Sequence, residues 1–387
     1  MNTLNAEADV QVSEMQLPTN KRSRLASAIF ASLNFAGEFT DLLIHEGQQI
    51  RLKSAKGLVL LGSLGFPGSN LVVTLEDIKS FFTYYVDDCQ TTVQVAQHWD
   101  EVVAPVFKSK GAINRSLKTP RDEFIRFSLF QHNRGKTAMV MRVTKPPKPL
   151  DQIRLHPKIQ ERLRDNPRGL LVITGPTASG KTATALSILD WMNKNTQGHI
   201  ATVEDPIEFP MPDEGCVFTQ REVGVDVDTF GSGLRDAMRH APDAILAGEV
   251  RDRDTAEAAI LGGESGALMI VTTHGRSIAG ALRKMLTLTG EQSEAMRAVL
   301  AGSLIGVMRQ ELIPTARGDR YIMVHDTLLA TDETRPMIEK NDWTMLEMIT
   351  QERRASTSFV SMKVAVREHV EQKTIKFDVA EATLGAR

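Results

Sequence analysis

The chain has 387 residues, 42% hydrophobic and 24% charged, with a formal net charge of −2. That balance fits a two-domain globular protein and supplies no global positive field for nucleic acid or an anionic membrane. The two cysteines, Cys89 and Cys216, lie far apart and outside any C-x-x-C pair, which argues against a disulfide framework or a zinc site.

Residues 1–23 are polar and aperiodic and read as a flexible tail without a secretory-signal pattern. Arg24–Leu33 has the apolar spacing of a helix. Short strands are expected at Asp41–His45, Ile50–Leu52 and Gly57–Leu61. Phe124–Phe130 and Thr137–Val143 read as a hairpin across Asn133–Lys136. Together these elements make an N-terminal α+β domain over residues 24–144. Lys145-Pro146-Pro147-Lys148-Pro149 reads as a stiff, charged linker. Over residues 150–387 apolar strands alternate with amphipathic helices, which predicts a doubly wound α/β domain with a mainly parallel sheet. After about Trp343 the pattern is helical, most clearly over Phe359–Gln372. No run of about 18 apolar residues occurs, so no bilayer-spanning helix is expected and the cytosol is the expected compartment.

Within the second domain, Gly175-Pro176-Thr177-Ala178-Ser179-Gly180-Lys181-Thr182 fits the P-loop pattern G-x-x-x-x-G-K-[ST] in full. Gly169–Thr174 before it reads as a buried strand, and Ala183–Asn193 after it as a helix. That context is what the motif requires. The glycines let backbone wrap a phosphate chain, and N–H groups at the helix start point at the anion. Lys181 then reaches the β- and γ-phosphates of ATP, and the Thr182 hydroxyl ligates Mg²⁺.

Hydrolysis needs more: metal ligation, an oriented water and cations for the developing charge. Three downstream strand ends offer such groups. Ile200–Glu208 places Glu204 and Asp205 at a strand end before Pro206, and reads equally as a catalytic edge or a solvated acidic turn. Ala244–Asp252 is a Walker-B-like run in which Glu249 stands where Asp is commoner. Glu249 would hold Mg²⁺, directly or through water, or polarise the nucleophile, with Arg251 on phosphate or supporting that acid. Leu268–His274 ends on His274, a γ-phosphate sensor or a structural histidine.

In this order and spacing the segments resemble the secretion ATPases that drive type II secretion, type IV pili and type IV secretion. Their pattern is Walker A, an acidic box, a Gly-Glu Walker B and a His box. Here these look like Gly175–Thr182, Thr202–Glu208, Gly248–Asp252 and Thr272–His274. Gly233–Asp243 is similar to the family's arginine-bearing helix and Pro-Asp turn, and Gly306–Pro314 to the strand that follows. Thr40–His45 and Arg126–Gly135 resemble parts of its N-terminal domain. Ala178 stands where the family usually has Gly, and Gly275-Arg276 depart from the usual residues after the His box.

The resemblance implies a RecA-like P-loop NTPase core with an N-terminal PAS-like α+β domain. It implies Glu204 as catalytic base, Glu249 as Walker B acid, His274 as the γ-phosphate-linked residue, and Arg235 and Arg239 as further catalytic residues. It also implies a homohexamer with ATP between subunits, and Arg126, Arg134 or Arg142 reaching a neighbour's nucleotide. Each of those three reads equally as a surface arginine on a solvated strand. An inner-membrane platform protein is the implied partner, with peripheral membrane association and no direct nucleic acid contact. The four-cysteine zinc module of type II members and the C-terminal motif of pilus-retraction motors are not found. The reading therefore leans to the conjugation and type IVB secretion branch, with a pilus extension or retraction motor as runner-up. A RecA-like nucleic-acid motor and a non-catalytic nucleotide-gated scaffold are the other classes.

Overall fold

The computed structural model describes residues 23–33, 39–54, 57–65, 70–83, 97–118, 124–144, 146–153, 155–290, 294–318, 320–351 and 358–385. Residues 1–22 of the expected tail, Lys145 of the expected linker and Cys89 lie outside these. The chain divides into two compact units, residues 1–143 and 144–387.

In the first unit, α1 (Arg24–Leu33) precedes β1 (Phe39–His45), β2 (Arg51–Ser54) and β3 (Gly57–Leu60). Then come α2 (Leu75–Phe81), α3 (Ala104–Lys110), β4 (Ala112–Lys118), β5 (Phe124–His132) and β6 (Lys136–Thr144). The strands form one six-stranded sheet in the order β3-β2-β1-β6-β5-β4. The period-two pattern decides which face is buried: Ile125, Phe127 and Leu129 of β5 are in the core while Arg126 and Ser128 alternate with them. Leu25 and Ile29 of α1 join that core, and Phe81 of α2 packs on Phe127 with ring centroids 5.7 Å apart. The β5–β6 turn runs through left-handed backbone at Asn133, Arg134 and Gly135. Asn and Gly tolerate that conformation well, and it closes the hairpin where the sequence places it.

The second unit opens with α4 (Pro157–Asp165), β7 (Gly169–Thr174), α5 (Lys181–Asn195), β8 (Gly198–Glu204) and β9 (Cys216–Glu222). It continues with α6 (Phe230–Ala237), β10 (Ala244–Ala247), α7 (Arg253–Gly262), β11 (Leu268–Thr273), α8 (Ile278–Leu288) and α9 (Glu294–Ser303). β12 (Leu304–Pro314), β13 (Tyr321–Leu329), α10 (Arg335–Glu339), α11 (Trp343–Gln351), β14 (Phe359–Val360), α12 (Met362–Glu371) and α13 (Phe377–Gly385) complete it. The eight-stranded sheet has the order β14-β13-β12-β7-β11-β10-β8-β9. All pairings from β12 to β9 are parallel, and β13 and β14 add antiparallel. β7, β10 and β11 are buried along their whole length, as their continuous apolar runs require in a covered parallel sheet.

This is the α/β fold with a parallel-rich sheet that the alternation implies, and the short strands and hairpin before it form an N-terminal α+β unit. One detail differs. Phe359-Val360 pair with Leu328 and Thr327 as a short strand, and the helix starts only at Met362. Phe359 is drawn into the main core, and the Ser361 side chain caps the helix by accepting from the Lys363 N–H.

Candidate nucleotide-binding and catalytic site

β7 delivers the chain to the Gly175–Thr182 loop, and α5 begins at Lys181. Three loop residues have positive φ: Gly175 at 148°, Ala178 at 61° and Gly180 at 84°. A Cβ on Gly175 would come within 2.3 Å of the Gln310 carbonyl, so no larger residue fits there. Ala178 adopts left-handed backbone with a Cβ, which costs about 1–2 kcal/mol. Lys181 is buried and donates from Nζ to the Gly175 carbonyl at 3.1 Å and the Pro176 carbonyl at 2.9 Å. Burial lowers its ammonium below the usual lysine range, opposed by the charges of Glu249 and Glu208.

From the neighbouring strand β12, Gln310 Nε2 donates to the Ser179 carbonyl at 2.7 Å. Gln310 is fully buried and meets the loop near both ends, with its backbone at Gly175 and its side chain at Ser179. Ser179 Oγ, Gln310 Oε1, and the Thr174 and Thr273 hydroxyls on the ends of β7 and β11 are buried with no partner among the described residues.

Glu204 ends β8 and is 1% exposed. Its Oε1 accepts from Thr202 Oγ1 at 2.7 Å and Gln220 Nε2 at 3.2 Å, and its Oε2 from the Glu208 N–H at 3.3 Å. Burial pushes the Glu204 carboxyl above the usual glutamate range, with those hydrogen bonds opposing and the Glu208 charge adding. The β8–β9 loop is tied to the far end of α5. Buried Asn193 donates to the Pro212 carbonyl at 2.8 Å and accepts from the Cys216 N–H at 3.0 Å.

Glu249 follows β10, between β8 and β11. Gly248 N–H bonds the Val203 carbonyl at 2.8 Å and Val250 N–H bonds the Thr272 carbonyl at 2.9 Å, so the chain stays zipped on both sides. A Cβ on Gly248 would lie 3.1 Å from the Val203 carbonyl and 3.3 Å from Glu204 Cα, a close approach that explains the glycine before the acid. Arg251 Nη2 lies 2.6 Å from Glu249 Oε2, and His274 Nε2 lies 3.1 Å from Oε1. Arg251 Nη1 also reaches Asp205 at 3.7 Å. Burial acts to raise the Glu249 carboxyl, but the Arg251 hydrogen bond and the charges of Arg251, His274 and Lys181 outweigh it and hold it below the usual range. The same bond raises Arg251 above the usual arginine range.

The P-loop, Glu204, Glu249 and His274 therefore all lie at the carboxyl ends of four neighbouring parallel strands, β7-β11-β10-β8, the edge where open α/β sheets bind ligands. Arg235 and Arg239 are not drawn into this cluster by any described contact. Arg235 lies 3.5 Å from Asp254, and both arginines are exposed. In the N-terminal unit, Arg142 Nε donates to buried Asp41 at 2.8 Å, Arg126 lies half-buried on β5, and Arg134 is exposed at the hairpin turn. Sequence reading passes over Gln220 and Gln310. Each is a lone glutamine whose partners come from another part of the chain, and only the strand pairing of β9 and β12 could point to them.

A family model described as "Type II/IV secretion system protein" matches residues 125–375. The type IV pilus retractation ATPase PilT of Pseudomonas aeruginosa is 34% identical over 227 residues, 58% of this chain, and the chain spans 65% of that relative's length. The crystal structure of the pilus retraction motor PilT with bound ADP superposes with a TM-score of 0.72, covering 93% of this chain and 96% of that one at 24% identity. The ATPase DotB of Yersinia pseudotuberculosis does so with a TM-score of 0.72, covering 96% of each chain at 19% identity. At such identities the two structures speak for the fold. The family match takes in more than half of the chain, its strand–loop–helix included, and this protein belongs to the Type II/IV secretion system protein family.

Proposed function

We propose that this protein is a Mg²⁺-dependent ATP hydrolase that converts hydrolysis into mechanical work for a membrane-associated secretion machine. The observation that carries this reading is the meeting of a complete P-loop with Glu204 and the Glu249–Arg251–His274 cluster at one sheet edge. The loop fits a phosphate chain. Its glycines leave backbone bare where a Cβ would clash, and Ser179 Oγ is buried with no partner among the described residues. MgATP supplies the phosphoanhydride to be cleaved and the metal that neutralises its charge.

In this reading Lys181, Thr182 and the N–H groups of Gly175, Thr177, Ala178, Ser179 and Gly180 bind the phosphates, while Pro176, which has no N–H, shapes the loop between them. Thr182 and Glu249 are the metal's protein oxygens, the latter directly or through water, few enough for an ion that keeps several waters. Arg251 and His274 keep Glu249 ionised and aimed. Glu204 accepts the proton of the attacking water, a role that suits a carboxyl whose burial strengthens its hold on a proton. Arg235 and Arg239 contribute positive charge at the closed site.

The finer reading is a homohexamer in the type IVB secretion or conjugation branch, docked on an inner-membrane platform protein from the cytoplasmic side. The fold is compatible with that branch and equally with a pilus motor, since DotB and PilT each superpose with a TM-score of 0.72. Among the described residues no helix is long and apolar enough to cross a membrane, and in this reading force passes through the docked platform. The second reading is a type IV pilus motor, supported by the identity to PilT. Affinity capture from native membranes decides between them. Secretion-core or coupling proteins are expected to co-purify, and pilin-assembly proteins would favour the second reading.

A further inference from the structure

The two oxygens of the Glu204 carboxyl are not equivalent. Oε1 takes two side-chain donors, Thr202 Oγ1 and Gln220 Nε2, while Oε2 takes one long backbone bond from Glu208. The parallel register sets Thr202 beside Gln220 and Glu204 beside Glu222, so these side chains share one face of the β8–β9 pair.

The orientation of the Gln220 amide is fixed by backbone groups that cannot exchange roles. The Met211 N–H can only donate, and it reaches Gln220 Oε1 at 2.6 Å. The Phe209 carbonyl can only accept, and it takes Nε2 at 3.1 Å. The amide nitrogen, rather than its oxygen, must therefore face Glu204. Gln220 thus presents an N–H donor to Oε1, and nothing in its surroundings favours a flip. The charged groups around this carboxyl are Glu208 in the loop, Glu222 on β9, and Asp205 with its partner Arg251. Glu222 is engaged elsewhere, accepting the Ile207 N–H at 3.2 Å.

We propose that Gln220 is a positioning residue for ATP hydrolysis: it locks Oε1 of Glu204 and leaves Oε2 as the oxygen that receives the proton of the attacking water. In that step the water O–H bond breaks and its proton passes to Oε2. The water oxygen bonds to the γ-phosphorus, and the bond to the β,γ-bridging oxygen breaks, leaving ADP with the electron pair. The proposal rests on the hydrolase reading above and adds the residue that selects the proton-accepting atom. Sitting on an edge strand and holding the 205–211 turn as well, Gln220 couples the shape of that turn to the aim of the base.

The test is steady-state ATP hydrolysis by the full chain as a function of pH, for the parent, Gln220→Leu, Gln220→Glu, Glu204→Gln and the double variant Glu204→Gln/Gln220→Leu. Binding of a non-hydrolysable ATP analogue and thermal unfolding are measured alongside. Gln220→Leu is expected to lower kcat about tenfold or more, the scale of one charge-assisted hydrogen bond, with analogue affinity within about twofold. Its acid limb of kcat moves to higher pH, because the ionised carboxylate has lost a donor. In the Glu204→Gln background the same substitution changes kcat less than about twofold, since the group it acts through is gone. If Gln220→Leu does not fold, Gln220→Glu carries the test, because it keeps an acceptor for Met211. A parent-like kcat, or an equal loss in the Glu204→Gln background with an unmoved acid limb, would make Gln220 a loop brace and overturn the proposal. A parent that does not hydrolyse ATP would instead bring down the hydrolase reading, and this proposal with it.

Discussion

Glu204 ends β8 and Glu249 follows the end of the paired strand β10, yet their carboxyls are driven in opposite directions. Burial raises Glu204, whereas Arg251, His274 and Lys181 hold Glu249 low. Two carboxyls with diverging environments suit two tasks, one ionised beside a cation and one ready to exchange a proton.

This divergence gives stability a signature in pH. Glu204 has a raised folded pKa, so its contribution is fully present below the unfolded value of about 4.3 and is lost as pH rises through the folded value. Glu204→Gln should therefore gain stability relative to the parent as pH rises above about 4.3. Glu249 has a lowered folded pKa, so its contribution is present above about 4.3 and lost as pH falls through the folded value. Glu249→Gln should be the less stable protein at neutral pH, with the gap closing in acid. Urea unfolding from pH 3.5 to 8 reads both trends, and parallel curves for all three proteins would refute the assignment of the two environments.

Glu204→Gln and Glu249→Gln should each bind ATP yet turn over slowly. Both keep side-chain shape and lose the carboxylate. A positioned general base contributes roughly 10²–10⁴-fold, which sets the loss expected at Glu204. For Glu249 a loss of about 10²-fold matches removal of one charge-organising group. Phosphate release with a fluorescent-nucleotide binding control separates binding from chemistry, and a parent-like rate in either variant removes that residue from the catalytic set.

Gln310→Leu should loosen the P-loop. It removes the donor to the Ser179 carbonyl and leaves that buried group unpaired, a cost of about 1–3 kcal/mol. Weaker ATP binding should accompany the lower stability, since the same loop would carry the phosphates. Calorimetric titration together with thermal unfolding tests this, and unchanged affinity would mean that the loop holds its shape without β12.

A composite site predicts complementation. A mixture of Lys181→Ala with the relevant one of Arg126→Ala, Arg134→Ala and Arg142→Ala should recover ATPase activity that neither variant has alone. Mixed rings would pair an intact loop with an intact arginine. Arg142 donates to Asp41 within its own unit, so thermal unfolding of Arg142→Ala separates loss of that pair from loss of a trans contact. Failure of all three mixtures to recover activity would argue against an N-terminal arginine acting in trans.

Much of the second unit's framework was legible because the signals are local. The strand Gly169–Thr174, the loop motif and the apolar runs ending at Glu204, Ala247 and Thr273 need only a few consecutive residues to be recognised. β9 was not legible: in Cys216–Glu222 only Cys216 is buried, so this edge strand shows neither alternation nor an apolar run. Gln220 and Gln310 escaped for a related reason. Their partners lie 16 and 131 positions away, and a lone glutamine carries no spacing signal. The Asp41–Arg142 pair likewise emerges only when β1 and β6 meet across 101 positions. The start of α12 was misplaced because Phe359 has helical spacing in sequence but is captured by the sheet.

The most direct measurement is Mg²⁺-dependent phosphate release from ATP by the parent and by Lys181→Ala, with nucleotide binding followed in parallel. The parent should hydrolyse ATP, and activity should vanish on chelating Mg²⁺. Lys181→Ala should lose at least about 10²-fold in rate and bind ATP more weakly, because the phosphates lose their charged partner. Hydrolysis at the parent rate by Lys181→Ala, or none by the parent at any concentration that permits assembly, would contradict the assignment of this sheet edge as an ATP-hydrolysing site.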